Sequence, residues 1–402
     1  MSAAAMPLSW FGGMLRGLVH RSGTRMRTPR PTNAWAFALM MIATGCASPS
    51  APTATTTPPD SPMTAPRPAN VLVIGHRGAS ALRPEHTLEA YRKAIEDGAD
   101  LIEPDLVSTH DGVLVARHEN EISGTTDVAS RPEFAVRRTT RTIDGERVTG
   151  WFTEDFTLAE LKTLRARERL PDLRGTAWDD RFEIPTLAEI LDLAAAESAT
   201  RGRIIGLAPE LKHPTHFASL GLAMETRLLD ALRAHPHTRT APVVIQSFET
   251  ANLRALREQL PRAANITLLQ LYGDPDETPY DTVAAGAPRS YASLATPDAL
   301  REVATYADAI GPHYLALTPR KGADGRPHSA LVEAAHAAGL KVIVYTFRPE
   351  NHFLPRELRG EGSPATRNDA GSIRQIREAI ALGIDGFFTD DPALGRRAVD
   401  EG

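Results

Sequence analysis

His76-Arg77, Glu103-Pro104-Asp105 and His118 fall within 43 residues, and their types combine into one kind of chemistry. Each group ends or interrupts a short apolar run: 71–74 before Gly75-His76, 101–106 around the two carboxylates, and 113–116 before His118. Runs of this length, rich in β-branched residues and bounded by turn residues, read as strands. Glu103 and Asp105 are two residues apart, which in a strand turns both side chains to one face. Two carboxylates on one face hold a hard cation, two histidines trade a proton across a reacting oxygen, and an arginine clamps a phosphate. Together these residues point to metal-assisted cleavage of a phosphate ester.

The same residues lie in a longer pattern. Gly75-His76-Arg77-Gly78-Ala79, Pro84-Glu85-His86-Thr87, Gly98-Ala99-Asp100-Leu101-Ile102-Glu103-Pro104-Asp105, Thr109-His110-Asp111-Gly112 and His118-Glu119 resemble the glycerophosphodiester phosphodiesterase signature. Pro185-Thr186-Leu187-Ala188-Glu189, Pro209-Glu210-Leu211-Lys212, Gln246-Ser247-Phe248 and Asp385-Gly386-Phe387-Phe388-Thr389-Asp390 continue it in the family's order. The resemblance is greatest to the longer bacterial periplasmic branch, which carries an insertion after the second histidine. His86 departs from the pattern, standing where the family usually shows asparagine.

The resemblance implies a role for each residue. Glu103, Asp105 and Glu210 are expected to bind one divalent cation, Ca2+ before Mg2+; zinc is disfavoured because the carboxylates are hard ligands and no thiolate accompanies them. His76 and His118 are the expected proton carriers, and histidine suits both directions of transfer because its ordinary pKa lies near neutrality. Arg77 and Lys212 are the expected phosphate clamps. The implied reaction is attack by the substrate's own glycerol hydroxyl, a cyclic phosphate, and release of sn-glycerol 3-phosphate and an alcohol. Glu85, Gln246, Tyr345 and Phe347 are candidates for the pocket wall.

The elements that must position these groups alternate regularly. Strand-like runs begin near Val71, Leu101, Ile204, Val243, Ile266, Tyr314, Val342 and Gly386. Helical patterns lie between them, at 87–96, 187–196, 217–234, 250–260, 297–306, 329–338 and 372–382. Such alternation predicts a parallel sheet, and about eight units suit a (β/α)8 barrel rather than a doubly wound open sheet. Polar residues close nearly every strand (His76, Glu103, Glu210, Gln246, Gln270, Thr318, Thr346, Asp390), whereas an open sheet gathers its site at one switch point. Asp390-Asp391-Pro392 reads as a helix cap. The polar stretch 120–181 fits no unit and is predicted to be an inserted subdomain after the second βα region, with Trp151-Phe152 and Trp178 as isolated aromatics.

The first part of the chain has another character. Residues 1–46 carry five arginines and no acid, and the apolar stretch 34–43 leads to Ala43-Thr44-Gly45-Cys46, which resembles a lipobox. Cys46 is the single cysteine and the expected lipid attachment site. Residues 47–69 hold seven prolines and no aromatic residue, and read as an extended tether. The barrel is expected over 70–402. Removing residues 1–46 takes Lys+Arg from 45 to 40 against 50 Asp+Glu, so the formal net charge moves from −5 to −10. A nucleic-acid partner is excluded by that sign. The expected product is an exported, periplasmic or cell-surface lipoprotein, held to a membrane by its lipid alone and acting on a small glycerophosphodiester. Two other readings are the same chemistry on a lysophospholipid or a teichoic-acid-like polymer, and a surface-anchored binding protein with a degenerate barrel. The last requires loss of a site residue, and none is lost.

Overall fold

A computed structural model describes residues 71–262, 265–322 and 325–401. The chain divides into Met1–Met63 and Thr64–Gly402, and every described strand and helix lies in the second unit. The expected signal peptide, Cys46 and the tether lie outside the described residues.

The apolar runs form eight parallel strand positions. They are β1 Leu72–Gly75, β2 Leu101–Ile102 resuming as Asp105–Ser108, β3 Gly206–Leu207 resuming as Glu210–Leu211, and β4 Val243–Ser247. Then come β5 Ile266–Leu271, β6 Ala309–Gly311, β7 Lys341–Phe347 and β8 Gly386–Thr389. Each pairs in parallel with the next, and β8 pairs with β1 to close the ring. A helix follows each strand: α1 Leu88–Glu96, α2 Leu187–Arg201, α3 Glu225–Ala234, α4 Ala251–Gln259, α5 Pro297–Tyr306, α6 Ala330–Ala337, α7 Asp369–Ile380 and α8 Pro392–Asp400. This is a (β/α)8 barrel, as the alternation predicts. Among the described residues no helix is long and apolar enough to cross a membrane.

Local chemistry starts the helices. Thr87 accepts a hydrogen bond from Ala90 N at 3.1 Å, and Thr186 and Glu189 cap α2 reciprocally. Pro392 opens α8 behind the Asp391 cap.

The barrel interior is a small apolar layer that includes Ile74, Leu101, Ala208, Val244, Ile343 and Phe388. A larger layer lies between sheet and helices and includes Val73, Ile102, Leu207 and Val243. Two residues beyond each of those six interior residues come His76, Glu103, Glu210, Gln246, Tyr345 and Asp390. The period of two thus carries polar side chains to the C-terminal rim, the functional face of such barrels. β2 and β3 break at Pro104 and Pro209, which have no N–H to donate. Their carbonyls still accept, from Glu210 N at 3.0 Å and Gln246 N at 2.9 Å. The strands resume in register, with Asp105 beside Glu210 and Glu210 beside Gln246.

Three elements differ from expectation. The sixth strand is Ala309–Gly311, not a run from Tyr314. Pro312 follows it, and His313 caps a short helical turn at Tyr314–Leu317 by accepting from Leu315 N. Thr318 therefore lies past that turn and not at a strand end. The helix expected at 217–234 is two, Pro214–Ser219 and α3, separated at Gly221 with φ +74°. The third strand starts at Gly206, leaving Ile204 exposed.

Residues 120–181 run between β2 and α2. They contain the antiparallel hairpin Thr139–Ile143 and Glu146–Gly150, joined by Asp144-Gly145. Both turn residues have positive φ, 49° and 89°, as a two-residue primed turn requires. Trp151 and Phe152 are buried in this segment, and the Trp151 ring nitrogen donates to Phe134 O at 2.7 Å.

Candidate active site

Glu103, Asp105 and Glu210 meet on the rim, all buried, each offering an oxygen within 4.8 Å of the others. Glu103 is held from two sides. Its Oε2 accepts from Arg77 N at 2.8 Å and its Oε1 from Gln246 Nε2 at 3.0 Å. Asp105 accepts from His86 Nε2 at 2.9 Å, and Glu210 pairs with Lys212 Nζ at 2.7 Å. Burial, followed by the charges of Asp105 and Glu210, pushes Glu103 well above the usual carboxylate range. Burial also pushes Glu210 up to about 8, against the pull of Lys212. Against burial, Lys212 and His86 hold Asp105 well below that range.

This donor set fits a divalent cation. Asp105 Oδ1 is buried without a hydrogen-bond partner, and so are Gln246 Oε1 and Arg77 Nε in the same cluster. Three carboxylates crowded in a dry site repel one another until a cation offsets them. The triad is therefore a group that can hold a metal ion.

Arg77 reaches the site through a left-handed backbone, φ 56°, which aims its N–H at Glu103. Gly78 follows with φ +89°, and a Cβ there would lie 2.6 Å from the Ala90 carbonyl carbon, so only glycine fits. Arg77 Nη1 donates to Glu85 at 2.9 Å, and its Nε lies 3.7 Å from Asp105. The buried Arg117 pins this loop by donating to the carbonyls of Glu85 and His86 at 2.8 and 3.0 Å.

Each proposed proton carrier stands in a dyad. His76 Nδ1 is 2.5 Å from Asp390 Oδ1, and His118 Nδ1 is 2.5 Å from Glu119 Oε1. Against burial, Arg348 and Arg174 hold Asp390 well below the usual range, and His118 and Arg169 do the same for Glu119. An ionised carboxylate only accepts, so Nδ1 carries the proton and Nε2 is left as the reactive nitrogen. Burial and then Arg77 lower His76 to about 4, with Asp390 opposing. Burial, then Arg77 and Lys212, lower His118 to about 3, with Glu119 opposing.

The carboxylates of both dyads are tied by one short segment of the insertion. Arg169 Nη2 lies 2.6 Å from Glu119 and 2.7 Å from Glu85. Arg174 lies 2.7 Å from Glu350 and 2.6 Å from Asp390. Arg174→Ala should destabilise the protein by about 3–5 kcal/mol, the cost of leaving buried carboxylates short of a partner. Turnover should fall as well, and Arg174→Lys should recover part of both; melting curves and initial rates check this. A stable, fully active Arg174→Ala protein would remove the positioning role.

Sequence reasoning reached the triad, both histidines, Arg77, Lys212, Glu85 and Gln246, and the structure gathers all of these at one rim. Tyr345 is on the inner face, donating to Tyr272 O at 2.5 Å. Phe347 is elsewhere: it packs between sheet and helices against Tyr314 and Phe387, at ring separations of 5.1 and 5.6 Å. The helix-cap reading holds for Asp391 but not for Asp390, which belongs to His76. Arg169, Arg174, Arg348 and Glu350 were missed. Arg169, Arg348 and Glu350 lie outside the regular helices and strands, Arg174 ends the short helix Pro171–Arg174, and none has a local spacing signal. His86, the departure from the pattern, is fully buried between Asp105 and Tyr91, whose hydroxyl lies 2.8 Å from Nδ1.

A barrel rim with a buried acidic triad, two histidine–carboxylate dyads and two fixed cations is a site for phosphate-ester chemistry. Comparison with known proteins places the chain more closely. Residues 76–394 match the model of the glycerophosphoryl diester phosphodiesterase family, and the chain belongs to that family. It is 32% identical over 342 residues to the glycerophosphodiester phosphodiesterase GDPD6 of Arabidopsis thaliana, covering 82% of this chain and 85% of that one. A glycerophosphodiester phosphodiesterase of Haemophilus influenzae is 28% identical over 344 residues, covering 81% and 88%. A crystal structure from Silicibacter pomeroyi DSS-3 assigned to the same family superposes with a TM-score of 0.57 at 25% identity, covering 83% of this chain and 94% of that one.

Proposed function

We propose that this protein hydrolyses glycerophosphodiesters to sn-glycerol 3-phosphate and an alcohol. The observation that carries the reading is the pair of dyads, His76–Asp390 and His118–Glu119, at the rim that holds the triad. Family membership supports it.

Glu103, Asp105 and Glu210 would hold one divalent cation, Ca2+ before Mg2+. When bound, the cation would offset charge on the phosphoryl oxygens. Arg77 and Lys212 would fix the diester anion. One neutral histidine takes the proton of the glycerol hydroxyl beside the phosphate as that oxygen bonds to phosphorus. The other histidine gives a proton to the alcohol oxygen as its bond to phosphorus breaks. A cyclic phosphate results, and water opens it with the two roles reversed. The donating histidine must enter protonated. A diester anion lying between Arg77 and Lys212 screens the cations that depress it and so favours that form.

Phosphorus NMR of products from a panel of glycerophosphodiesters, with and without EDTA, tests the reading. Glycerol 3-phosphate should appear only where chelator is absent. A diester lacking the hydroxyl next to the phosphate should resist cleavage, since it cannot cyclise; cleavage at the rate of glycerophosphocholine would replace the cyclic route by direct attack of water. Turnover of lysophospholipids or polymers alone would shift the substrate and keep the chemistry.

We also propose export and lipid attachment at Cys46, on the strength of Ala43-Thr44-Gly45-Cys46 and the proline-rich stretch after it. Cys46→Ser should move the protein from the detergent phase to the aqueous or unprocessed fraction with its activity kept. Unchanged partitioning would remove the anchor.

A further inference from the structure

Beside the triad the rim opens into a cavity of about 510 Å³. His118, Glu210 and Lys212 are among its lining residues, so it adjoins the place proposed for the phosphate. The rest of the lining has a different chemistry. It presents Asp144 from the hairpin tip, Glu249 and Glu277 from the loops after β4 and β5, and the rings of Phe248 and Tyr291.

Glu249 is 4% exposed, and its oxygens meet only Thr215, whose N donates at 3.3 Å and whose hydroxyl also donates. Among the described residues no cation pairs with it. Burial pushes it up to about 8, and the charges of Asp144 and Asp281 add to this. Asp144 uses one oxygen for His213 at 2.6 Å, while its Oδ1 is buried without a hydrogen-bond partner. The two rings stand 6.3 Å apart at 80° and form a corner, fixed by the Tyr291 hydroxyl donating to Phe248 O at 3.1 Å. Lys212 Nζ is 5.6 Å from the Phe248 ring centre, so this ring spans from the phosphate clamp to the cavity.

A buried carboxylate without a counter-ion, beside aromatic faces, suits an organic cation. An ammonium group beside it would draw the carboxyl back to its ionised form, and the rings supply a cation–π surface that a neutral group does not use. We infer that the cavity receives the alcohol arm of the diester and selects arms that end in an ammonium group. This rests on the phosphodiesterase reading for the placement of the phosphate. Primary and quaternary ammonium arms share the required charge.

Three diesters of glycerol phosphate separate the cases: the choline ester, the ethanolamine ester, and the 3,3-dimethylbutyl ester, which has the shape of choline without its charge. At low ionic strength both cationic arms should exceed the neutral one at least tenfold in kcat/KM, mainly through KM. A choline ester far better than the ethanolamine ester would assign the selection to the rings; near equality would assign it to the carboxylates. Glu249→Gln should collapse the cationic-to-neutral ratio toward one while its melting temperature stays level or rises, because the carboxylate has no cationic partner to lose and the amide oxygen can still accept from Thr215. Equal kcat/KM for the three esters in the unaltered protein, or an unchanged ratio in Glu249→Gln, would overturn the inference. Equilibrium binding of the choline and dimethylbutyl esters to His76→Ala protein gives a readout that needs no turnover. Tighter binding of the charged ester supports the cavity's role even if no ester is cleaved, a result that would instead fall on the proposed activity. Equal binding overturns the inference whatever the turnover.

Discussion

His76→Ala and His118→Ala should each lower kcat by roughly 10²–10⁴-fold, the range for removal of a positioned acid or base. Cation binding should survive both changes, because neither histidine is among the three carboxylate ligands. The two variants should differ in their pH profiles. On the proposed mechanism the rate of the unaltered protein requires one neutral and one protonated histidine, so the profile should be a bell. Burial and Arg77 lower His76 in the free protein to about 4, and His118 falls to about 3. For a histidine acting as base, that lowering keeps the active neutral form down to mildly acidic pH. For the one acting as acid, activity falls as pH rises through its pKa in the complex. Each alanine variant should lose one limb, and the limb lost assigns the role. Retention of both limbs in both variants would mean that other groups carry the protons. Asp390→Asn is a finer probe. An amide can donate as well as accept, so it releases the tautomer that presents Nε2, and turnover should drop while KM changes little.

The triad carries the second large effect. A cation that binds only the folded protein stabilises it by about 2.7 kcal/mol at a hundredfold excess over Kd. Ca2+ should therefore raise the melting temperature of EDTA-treated protein, and Glu103→Gln, Asp105→Asn and Glu210→Gln should each weaken or abolish that rise together with turnover. Glu210→Gln separates binding from folding. Its carboxyl is pushed up to about 8, above the ordinary 4.5. A carboxyl raised on folding contributes stability that is fully present below 4.5 and is lost as pH climbs toward 8. The cation-free glutamine variant should thus be as stable as the parent at low pH and more stable at pH 8 and above. A cation-induced shift of equal size in parent and variants would place the metal elsewhere. Mg2+ in place of Ca2+, titrated in the same assay, decides between the two ions.

The barrel was legible because its rule is local. An interior apolar residue followed two positions later by a polar one, as in Ile74-Gly75-His76 or Val244-Ile245-Gln246, can be read without knowing which strand lies beside it. The prolines at 104 and 209 break their strands without hiding this rule, since the register resumes at Asp105 and Glu210. Ala309–Gly311 escaped because three residues are too few to show a period, while the apolar run at Tyr314 imitates one. The fragmentation of 217–234 turns on Gly221, whose positive φ is a property of the folded chain. The supporting charges were illegible for a different reason. Asp390 meets His76 across 314 residues, and Arg174 meets Asp390 across 216. Nothing near Arg174 distinguishes it from the many surface arginines. Asp390 also sits next to a true cap, which gave it a sufficient local explanation.

The short run from Arg169 to Arg174 touches the carboxylate behind each histidine. The proposed acid and base are therefore not independent parts. One protease cut between those arginines would disarm both at once, in a barrel whose strands and helices are still joined by all their own pairings. Changes that displace the 169–174 run while keeping the barrel intact should accordingly be felt at both histidines together, and a relative that shortens this segment must support both histidines by other groups.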